Sequence, residues 1–280
     1  MTHNELIGFL SELPWAEIAT RAVLTAFVVL VVALVVGKLG PIAGGLVAGL
    51  PMGFAPGFFF LIATENSSSL YEIGSHALLA VCATQVFLFS YMVACRFSTP
   101  AITLLVSVLV WAATIYALNL VNLNVSGTLA IFATITLATR KLGKNLCLND
   151  VTSERSESFA LLVIRACLGG ILVAIVTVFA PKLGGALSGI LLAFPIGFAL
   201  ICLTTHEQYG PEILIKFAHS ALLGAISLAM FCFGFTVAVV AVQPYSALMF
   251  GLIASLATTG LLMFKAAFAK RRSSIVHHST

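Results

Sequence analysis

The sequence predicts an all-α, polytopic membrane protein with about nine transmembrane helices, arranged as two inverted four-helix repeats that are joined by a linker helix. Three observations predict this fold. Of the 280 residues, 60% are hydrophobic and only 9% are charged, whereas soluble globular chains carry roughly 25% charged residues. Several apolar stretches reach the roughly 18 residues expected of a membrane span. A set of residues also recurs at a constant spacing of 144 positions.

The apolar stretches are separated by polar residues or by Gly and Pro, which mark the ends of the predicted spans. The fifth span is the weakest because it is short and rich in threonine. The predicted spans cover, in chain order, residues 18–37, 41–63, 75–95, 100–121, 125–140, 158–180, 184–204, 216–241 and 244–268. The predicted division of the chain is an interfacial segment at 1–16, a first repeat at 17–121, a linker helix with a cytoplasmic loop at 122–157, a second repeat at 158–268 and a cytoplasmic basic tail at 269–280.

The N-terminal segment carries acidic residues where a secretory signal would be basic, so no cleaved signal peptide is predicted. Residues Met1 to Trp15 are predicted to form a short amphipathic helix in the membrane interface, with a flexible tail as the alternative. Either structure leaves the first crossing of the bilayer to the span at 18–37.

The positions of Lys and Arg predict the orientation. If all the predicted spans cross the bilayer, one face collects most of the basic residues, and the other receives little besides Arg21 and Lys182. By the positive-inside rule the basic face is cytoplasmic, which places the N-terminus outside and the C-terminus inside a bacterial inner membrane. The residues on the basic face are Lys38, Arg96, Arg140, Lys141, Lys144, Arg155, Lys216, Lys270, Arg271 and Arg272.

The repeat extends across four consecutive spans. Residues 38–55 return at 182–199 with the same Lys-Leu-Gly start and the same Pro-x-Gly-Phe-Ala end, and the same spacing relates Pro100 to Pro244. Because an odd number of crossings separates equivalent helices, the second repeat is predicted to enter the membrane from the opposite side. Inverted repeats of this kind recur in secondary transporters.

The second and seventh spans are predicted to lie at the centre, because small residues recur every four positions and let helices approach closely in lipid. Pro51 and Pro195 fall near the middle of these spans, where each removes a backbone donor. Together with Gly53 and Gly197, they are candidate substrate-binding residues at two interrupted helices. The alternative is a pair of tolerated kinks in a packed core.

Two arginines related by the repeat form a second candidate site. Arg21 and Arg165 fall within or near the edge of apolar spans, where an arginine is costly and usually faces a cavity or a partner. Their planar guanidinium forks suit a carboxylate or a phosphate. The alternative is that both side chains extend to the lipid headgroups.

Gln85 in the third span is a further candidate ligand, since the second repeat has Ala229 in its place. An interhelical hydrogen bond is the alternative role for this amide. Four titratable residues at the ends of spans are candidates for taking up a coupling proton, with ordinary solvation in loops as the alternative. They are Glu65, His76, Glu207 and His219.

No catalytic or cofactor motif was found. There is no Gly-rich phosphate loop, no HExxH and no nucleophile elbow, so the chain is predicted not to be an enzyme. Five of the six cysteines lie in or beside apolar segments without CxxC spacing, which predicts small hydrophobic side chains and neither a metal nor a cofactor. The net charge of +4 needs no nucleic acid to explain it, because the basic residues lie beside the membrane.

Each repeat places a basic residue before a Gly-rich helix that is broken by Pro and followed by a polar turn. This unit resembles the GlpM-like family of small bacterial membrane proteins, and the likeness covers residues 44–94, about one repeat. The present chain departs from that family by carrying two units and a linker. The resemblance implies a four-helix unit that works as an antiparallel pair, and it supplies no ligand residues.

Taken together, these features predict a secondary, alternating-access transporter for a small organic anion or an anionic lipid headgroup. The alternative is a non-transporting inner-membrane scaffold of an envelope-polysaccharide or lipid-synthesis complex, in which the glycines serve packing only. The expected partners are the lipid bilayer and the anionic or lipid substrate, with no nucleic acid. The sequence leaves open whether the chain forms a homo-oligomer.

Overall fold

The computed structural model describes residues 14–36, 46, 49–147 and 159–277, and the side chains among them except those of 32–36 and 267–277. All the regular secondary structure of these residues is helical, which agrees with the predicted all-α class. Nearly all of the predicted interfacial helix, together with Lys38, Gly45 and Arg155, lies outside the described residues.

The described residues form eight helices, whereas nine spans were predicted, and several helix ends differ from the predicted ones. In the first half they are α1 Trp15–Val36, α2 Phe54–Ile62, α3 Ser67–Ala94, α4 Pro100–Asn119 and α5 Val125–Lys144. In the second half they are α6 Phe159–Leu192, α7 Ile196–Ala238 and α8 Pro244–His277.

Local capping signals explain several helix starts. The Asn66 side chain accepts a hydrogen bond from the Ser69 amide at 2.9 Å, which starts α3 eight residues before the predicted third span. Asn124 caps α5 in the same way through the amide of Gly127 at 2.7 Å. Short polar side chains at this position accept from first-turn amides that have no acceptor within the helix.

Two glycines divide the long helices of the second half. Gly184 in α6 has φ 76° and ψ 164°, and Gly210 in α7 has φ 76° and ψ 179°. Glycine is essentially the only residue that adopts this backbone region. The predicted loop between the seventh and eighth spans is therefore a helix that is interrupted only at Gly210.

Four helical stretches of the described chain are long and apolar enough to cross a membrane. Consistent with this, α4 and α8 expose large apolar side chains, including those of Leu105, Leu109, Ile253 and Leu256. The four stretches are Ser67–Ala94, Pro100–Asn119, the 80-residue stretch Phe159–Ala238 and Pro244–Ala266.

The centre of the molecule is formed by α3 and residues 211–238 of α7, which run antiparallel. Gly74 near the start of α3 lies against Thr236 near the end of α7. Further along α3, the Gln85 amide donates to the carbonyl of Leu222 at 2.9 Å. The contacts therefore move backwards along α7 as α3 proceeds. Four aromatic side chains of these two stretches are fully buried: Phe87, Tyr91, Phe231 and Phe235.

Helix α5 lies beside this central pair and runs parallel to α3. The Cys82 thiol lies 3.6 Å from the carbonyl of Thr128, and the Gln85 amide donates to the Thr136 hydroxyl at 3.0 Å. A Cβ atom added at Gly143 would lie 3.1 Å from the Met92 Cε atom. As α3 proceeds, its contacts therefore advance along α5.

Candidate functional site

The structure places Pro51 and Pro195 at interruptions of the helical backbone. Pro51 lies three residues before α2, and Pro195 lies between α6 and α7. The Met52 amide donates to the Leu50 carbonyl at 2.8 Å, and the Ile196 amide donates to Phe194 at 2.7 Å. Each proline is thus the central residue of a three-residue turn.

The backbone at Pro195 has φ −78° and ψ 48°, which is close to an inverse γ-turn. After each turn the proline carbonyl accepts the first hydrogen bond of the next helix, from Ala55 at 2.9 Å and from Ala199 at 2.8 Å. Each interruption therefore presents a helix N-terminus. The first amides of a helix lack intrahelical acceptors, and the helix dipole is positive at this end, so an anion is favoured there.

The glycines on the two sides of these prolines differ in their surroundings. A Cβ atom at Gly49 would overlap the backbone of Gly224, and one at Gly189 would overlap the carbonyl of Ile73. These two glycines serve close packing.

Beyond the prolines, by contrast, the described residues leave room beside the helix. A Cβ atom at Gly53 would have Val173 Cγ2 as its nearest described neighbour, at 3.9 Å, and one at Gly197 would meet no described atom within 4 Å. Gly53 and Gly197, which were predicted to bind substrate, are therefore the glycines that have space among the described residues beside a helix N-terminus.

The two interruptions are close to each other. A Cβ atom added at Gly57, in the first turn of α2, would lie 2.5 Å from Cδ1 of Leu192, the last residue of α6. On the other side of α2, the Phe58 ring packs against the Phe231 and Phe235 rings, with centroid distances of 5.6 Å and 4.4 Å. The start of α2 is thus held between α6 and α7.

Arg21 is buried, with 6% of its surface exposed. Its Nη2 atom forms an ion pair with Glu17 one turn earlier on α1, and its guanidinium carbon lies 5.3 Å from the centre of the Phe60 ring. Nη1 of Arg21 and the hydroxyl of Thr25, one turn further along, are buried and have no hydrogen-bond partner among the described residues. An anion oxygen could accept a hydrogen bond from either group, and buried donors without partners are costly.

Arg165 is half-buried on α6, in different surroundings. At the repeat spacing of 144, Leu161 replaces Glu17 and Gly169 replaces Thr25. Gly169 is buried, and a Cβ atom added there would meet no described atom within 4 Å. One helical turn after Arg165 the described residues thus leave space at Gly169, whereas one turn after Arg21 the chain has Thr25.

Gln85 bridges three helices. Its Nε2 atom donates to the Thr136 hydroxyl of α5 at 3.0 Å and to the Leu222 carbonyl of α7 at 2.9 Å. Its Oε1 atom is buried and has no partner among the described residues. This geometry favours the interhelical role for Gln85 over the role of ligand.

The four candidates for a coupling proton lie on different parts of the chain. Glu65 follows α2 and has one buried oxygen without a described partner, whereas Glu207 is exposed on α7. His76 interacts with the carbonyl of Glu72, one turn earlier on α3, at 3.0 Å, and His219 interacts with the carbonyl of Arg140 at 3.3 Å. Both histidines thus have backbone partners.

Sequence reasoning missed three features of the site. It did not assign Glu17 or Thr25 to Arg21, although spacings of four residues place all three on one helix face. It also assigned no role to His206, which is 8% exposed and whose ring lies 6.0 Å from that of Tyr91. No pattern in the sequence indicates that burial.

In the described parts of the chain, no group of three or more His, Cys, Asp or Glu residues lies close enough together to hold a metal ion. Comparison of the chain with protein families, with curated proteins and with solved structures finds no match.

Proposed function

We propose that this chain is a secondary, alternating-access transporter of a small organic anion or an anionic lipid headgroup. The observation that carries the proposal is the pair of matched helix interruptions at Pro51 and Pro195, each followed by a helix N-terminus and by a glycine with space beside it. Interrupted helices whose N-termini face an anionic group are a recurring substrate site in transporters.

The helix bounds support the proposed duplication. Four helix ends in the first half have counterparts exactly 144 residues later. The hydrogen bonds of the two proline turns follow the same spacing. The matched positions are Trp15 with Phe159, Ser67 with Pro211 directly after the Gly210 break, Ala94 with Ala238, and Pro100 with Pro244.

The helix directions support inversion of the second half. Helix α3 and its proposed counterpart, residues 211–238, run antiparallel, while α5 runs parallel to α3. A linker helix that crosses the bilayer beside α3 would reverse everything that follows it. The stretch Phe159–Ala238 has 80 residues, and at about 20 residues per crossing it can supply more than one of the proposed nine spans. The resemblance to the GlpM-like family stays a prediction.

In the proposed mechanism, the two helix N-termini bind the anion, while Arg21, beside Phe60 near the other end of α2, and the Thr25 hydroxyl attract it at a separate point. Glu17 occupies one side of the Arg21 guanidinium and competes with the substrate for it. The glycine breaks at Gly184 and Gly210 provide hinges, since a hinge needs only a few residues that absorb a change in φ and ψ. Tilting of one repeat against the other would then expose the site to each side in turn.

The membrane assignment proposed here is a bacterial inner membrane, with the N-terminus outside and the C-terminus cytoplasmic. Arg96, Arg140 and Lys216 support this orientation, because all three lie close to Cys147 at one end of the central helices. Basic residues are enriched on the cytoplasmic side of membrane proteins.

The test begins with a thermal-shift screen of carboxylates and organic phosphates on the purified protein. An anion that stabilises the protein is then followed by radiolabel uptake into proteoliposomes. Arg21→Ala is expected to lower uptake by about tenfold or more, because a charge-assisted hydrogen bond to a buried anion is lost. Arg165→Ala is expected to act in the same direction. Lys182→Gln, which removes one exposed charge elsewhere, serves as the matched control. Unchanged uptake by both arginine variants would remove the arginines from the site.

A second candidate function is a membrane scaffold for an envelope-synthesis complex. The close backbone approach at Gly49 and Gly189 favours it, since these glycines serve packing without any ligand. A protein that binds no carboxylate, organic phosphate or lipid headgroup in the screen, yet co-purifies with a synthase, would support this function over transport.

A further inference from the structure

Three helices bring basic side chains together at one end of the central pair. Arg96 follows α3, Arg140 lies in the last turns of α5, and Lys216 and His219 lie near the start of residues 211–238. We call these four residues the basic cluster. The Arg96 Nη2 atom donates to the carbonyl of Leu146 at 2.6 Å, and Arg140 and His219 interact with each other's carbonyls at 3.3 Å.

The charges of the cluster are close enough to act on one group. Burial raises the pKa of the Cys147 thiol, and the neighbouring Lys216, Arg140 and Arg96 side chains oppose this rise by favouring the thiolate. The described hydrogen bonds of Arg96 and Arg140 go to backbone carbonyls, which carry no net charge. Each guanidinium group has five donors in a planar fork, so Arg96 and Arg140 can still donate to a phosphate group.

Exposed apolar side chains lie directly beside the cluster. Phe97, next to Arg96, is 84% exposed, and Leu142, two residues after Arg140, is 55% exposed. One turn deeper along the same helices, Val93 and Leu137 are also exposed. Cations at the level of the headgroups with apolar side chains below them suit a phospholipid, whereas free phosphate would need no apolar surface.

We propose that the basic cluster is a binding site for the phosphate headgroup of an anionic phospholipid in the adjacent leaflet, with its acyl chains against Val93 and Leu137. This site does not depend on the proposed transport function, because it uses neither of the helix interruptions and neither Arg21 nor Arg165. Bound lipid would connect the ends of α3 and α5 with the start of residues 211–238 in α7, and these are the three helices that Gln85 joins deeper in the membrane.

The experiment compares the thermal unfolding of the detergent-purified full-length protein with added phosphatidylglycerol, phosphatidylcholine or inorganic phosphate. Phosphatidylglycerol is expected to stabilise the wild type and the Lys182→Gln control, while the other two additives do not. The double variant Arg96→Gln/Arg140→Gln is expected to bind phosphatidylglycerol about tenfold or more weakly, because two headgroup cations are lost. Native mass spectrometry gives the lipid stoichiometry independently.

Arg140 also donates to the backbone of α7, so Arg140→Gln removes a contact of the fold as well as a charge. A second double variant that keeps Arg140 separates the two effects. Arg96→Gln/Lys216→Gln also removes two cations of the cluster, leaves the bonds between Arg140 and His219 in place, and is expected to show a similar loss. Equal stabilisation by phosphatidylcholine would overturn the proposal. So would full retention of the phosphatidylglycerol response in both double variants. Stabilisation by inorganic phosphate alone, at matched concentration, would replace the lipid with a free phosphate as the ligand.

Discussion

The two halves of the chain share the backbone of their helix interruptions and differ in the side chains around their arginines. Both interruptions have a proline at the centre of a three-residue turn and a glycine with space beside it two residues later. Arg21, in contrast, is paired with Glu17, while the position matching Glu17 in the second half is Leu161.

A similar difference separates α4 from α8. The Ser227 hydroxyl lies 2.7 Å from that of Ser255 and 2.6 Å from that of Thr259, whereas the matching positions in the first half are Ala83, Trp111 and Ile115. The two halves thus share Gly and Pro at matching backbone positions, while the polar side chains that form interactions differ between them. The predictions below test this division, from the largest expected effect to the smallest.

The largest effect is expected at the packing glycines. Gly189→Leu should prevent folding, because its side chain would overlap the backbone of Ile73, and backbone cannot move aside cheaply. Gly197→Leu is the matched control, since space is available there, and it should fold but block uptake. Size-exclusion profiles and circular dichroism check both. A well-folded Gly189→Leu protein would contradict the packing role.

Gln85→Leu should lower the free energy of unfolding by about 1–3 kcal/mol, because the Leu222 carbonyl and the Thr136 hydroxyl lose their shared donor. Thr84→Val is the control, because the Thr84 hydroxyl bonds only within its own helix, to Ala80 at 3.1 Å. Thermal unfolding in detergent measures both. Loss of uptake without loss of stability would assign Gln85 to the ligand after all.

Much of this architecture could be predicted from the sequence, because helix ends and interruptions depend on local signals. The residues that start or interrupt these helices affect only the few residues next to them, so the helix ends can be predicted from the local sequence. They include Asn124, Pro100, Pro51 and Pro195. The burial of His206 and the three-helix contacts of Gln85 depend on neighbours far along the chain. The backbone break at Gly184 falls at the predicted start of the seventh span, because a glycine three residues after Pro181 is a local signal as well.

Glu17→Leu gives Arg21 the leucine that the second half has at the matching position, Leu161. The variant therefore compares the two arginines in more similar surroundings. Removing the competing carboxylate is expected to tighten anion binding at Arg21 by about tenfold at most, since ion pairs with an exposed partner contribute about 1 kcal/mol. Isothermal titration with the anion identified by the screen measures this change. Unchanged affinity would show that Glu17 does not compete with the substrate.

The smallest effect is expected at the hydroxyl group of Ser227. Ser227→Ala should cost about 0.5–1 kcal/mol, because interhelical hydrogen bonds in membranes contribute modestly. Thr258→Val, whose hydroxyl bonds only to Ala254 in its own helix at 2.7 Å, is the control. Thermal unfolding should separate the two variants, and anion uptake should be the same in both. A change of uptake in Ser227→Ala would add this hydroxyl group to the proposed site.

The most direct test concerns the proposed crossing of the bilayer by α5, on which the proposed inversion of the second half depends. Asn122→Cys and Asn145→Cys place single cysteines just outside the two ends of this helix in a cysteine-free background. A membrane-impermeant maleimide applied to intact cells should label position 122 and leave position 145 unlabelled until the membrane is permeabilised. Labelling of both positions from the same side would make the two repeats parallel and contradict the alternating-access mechanism.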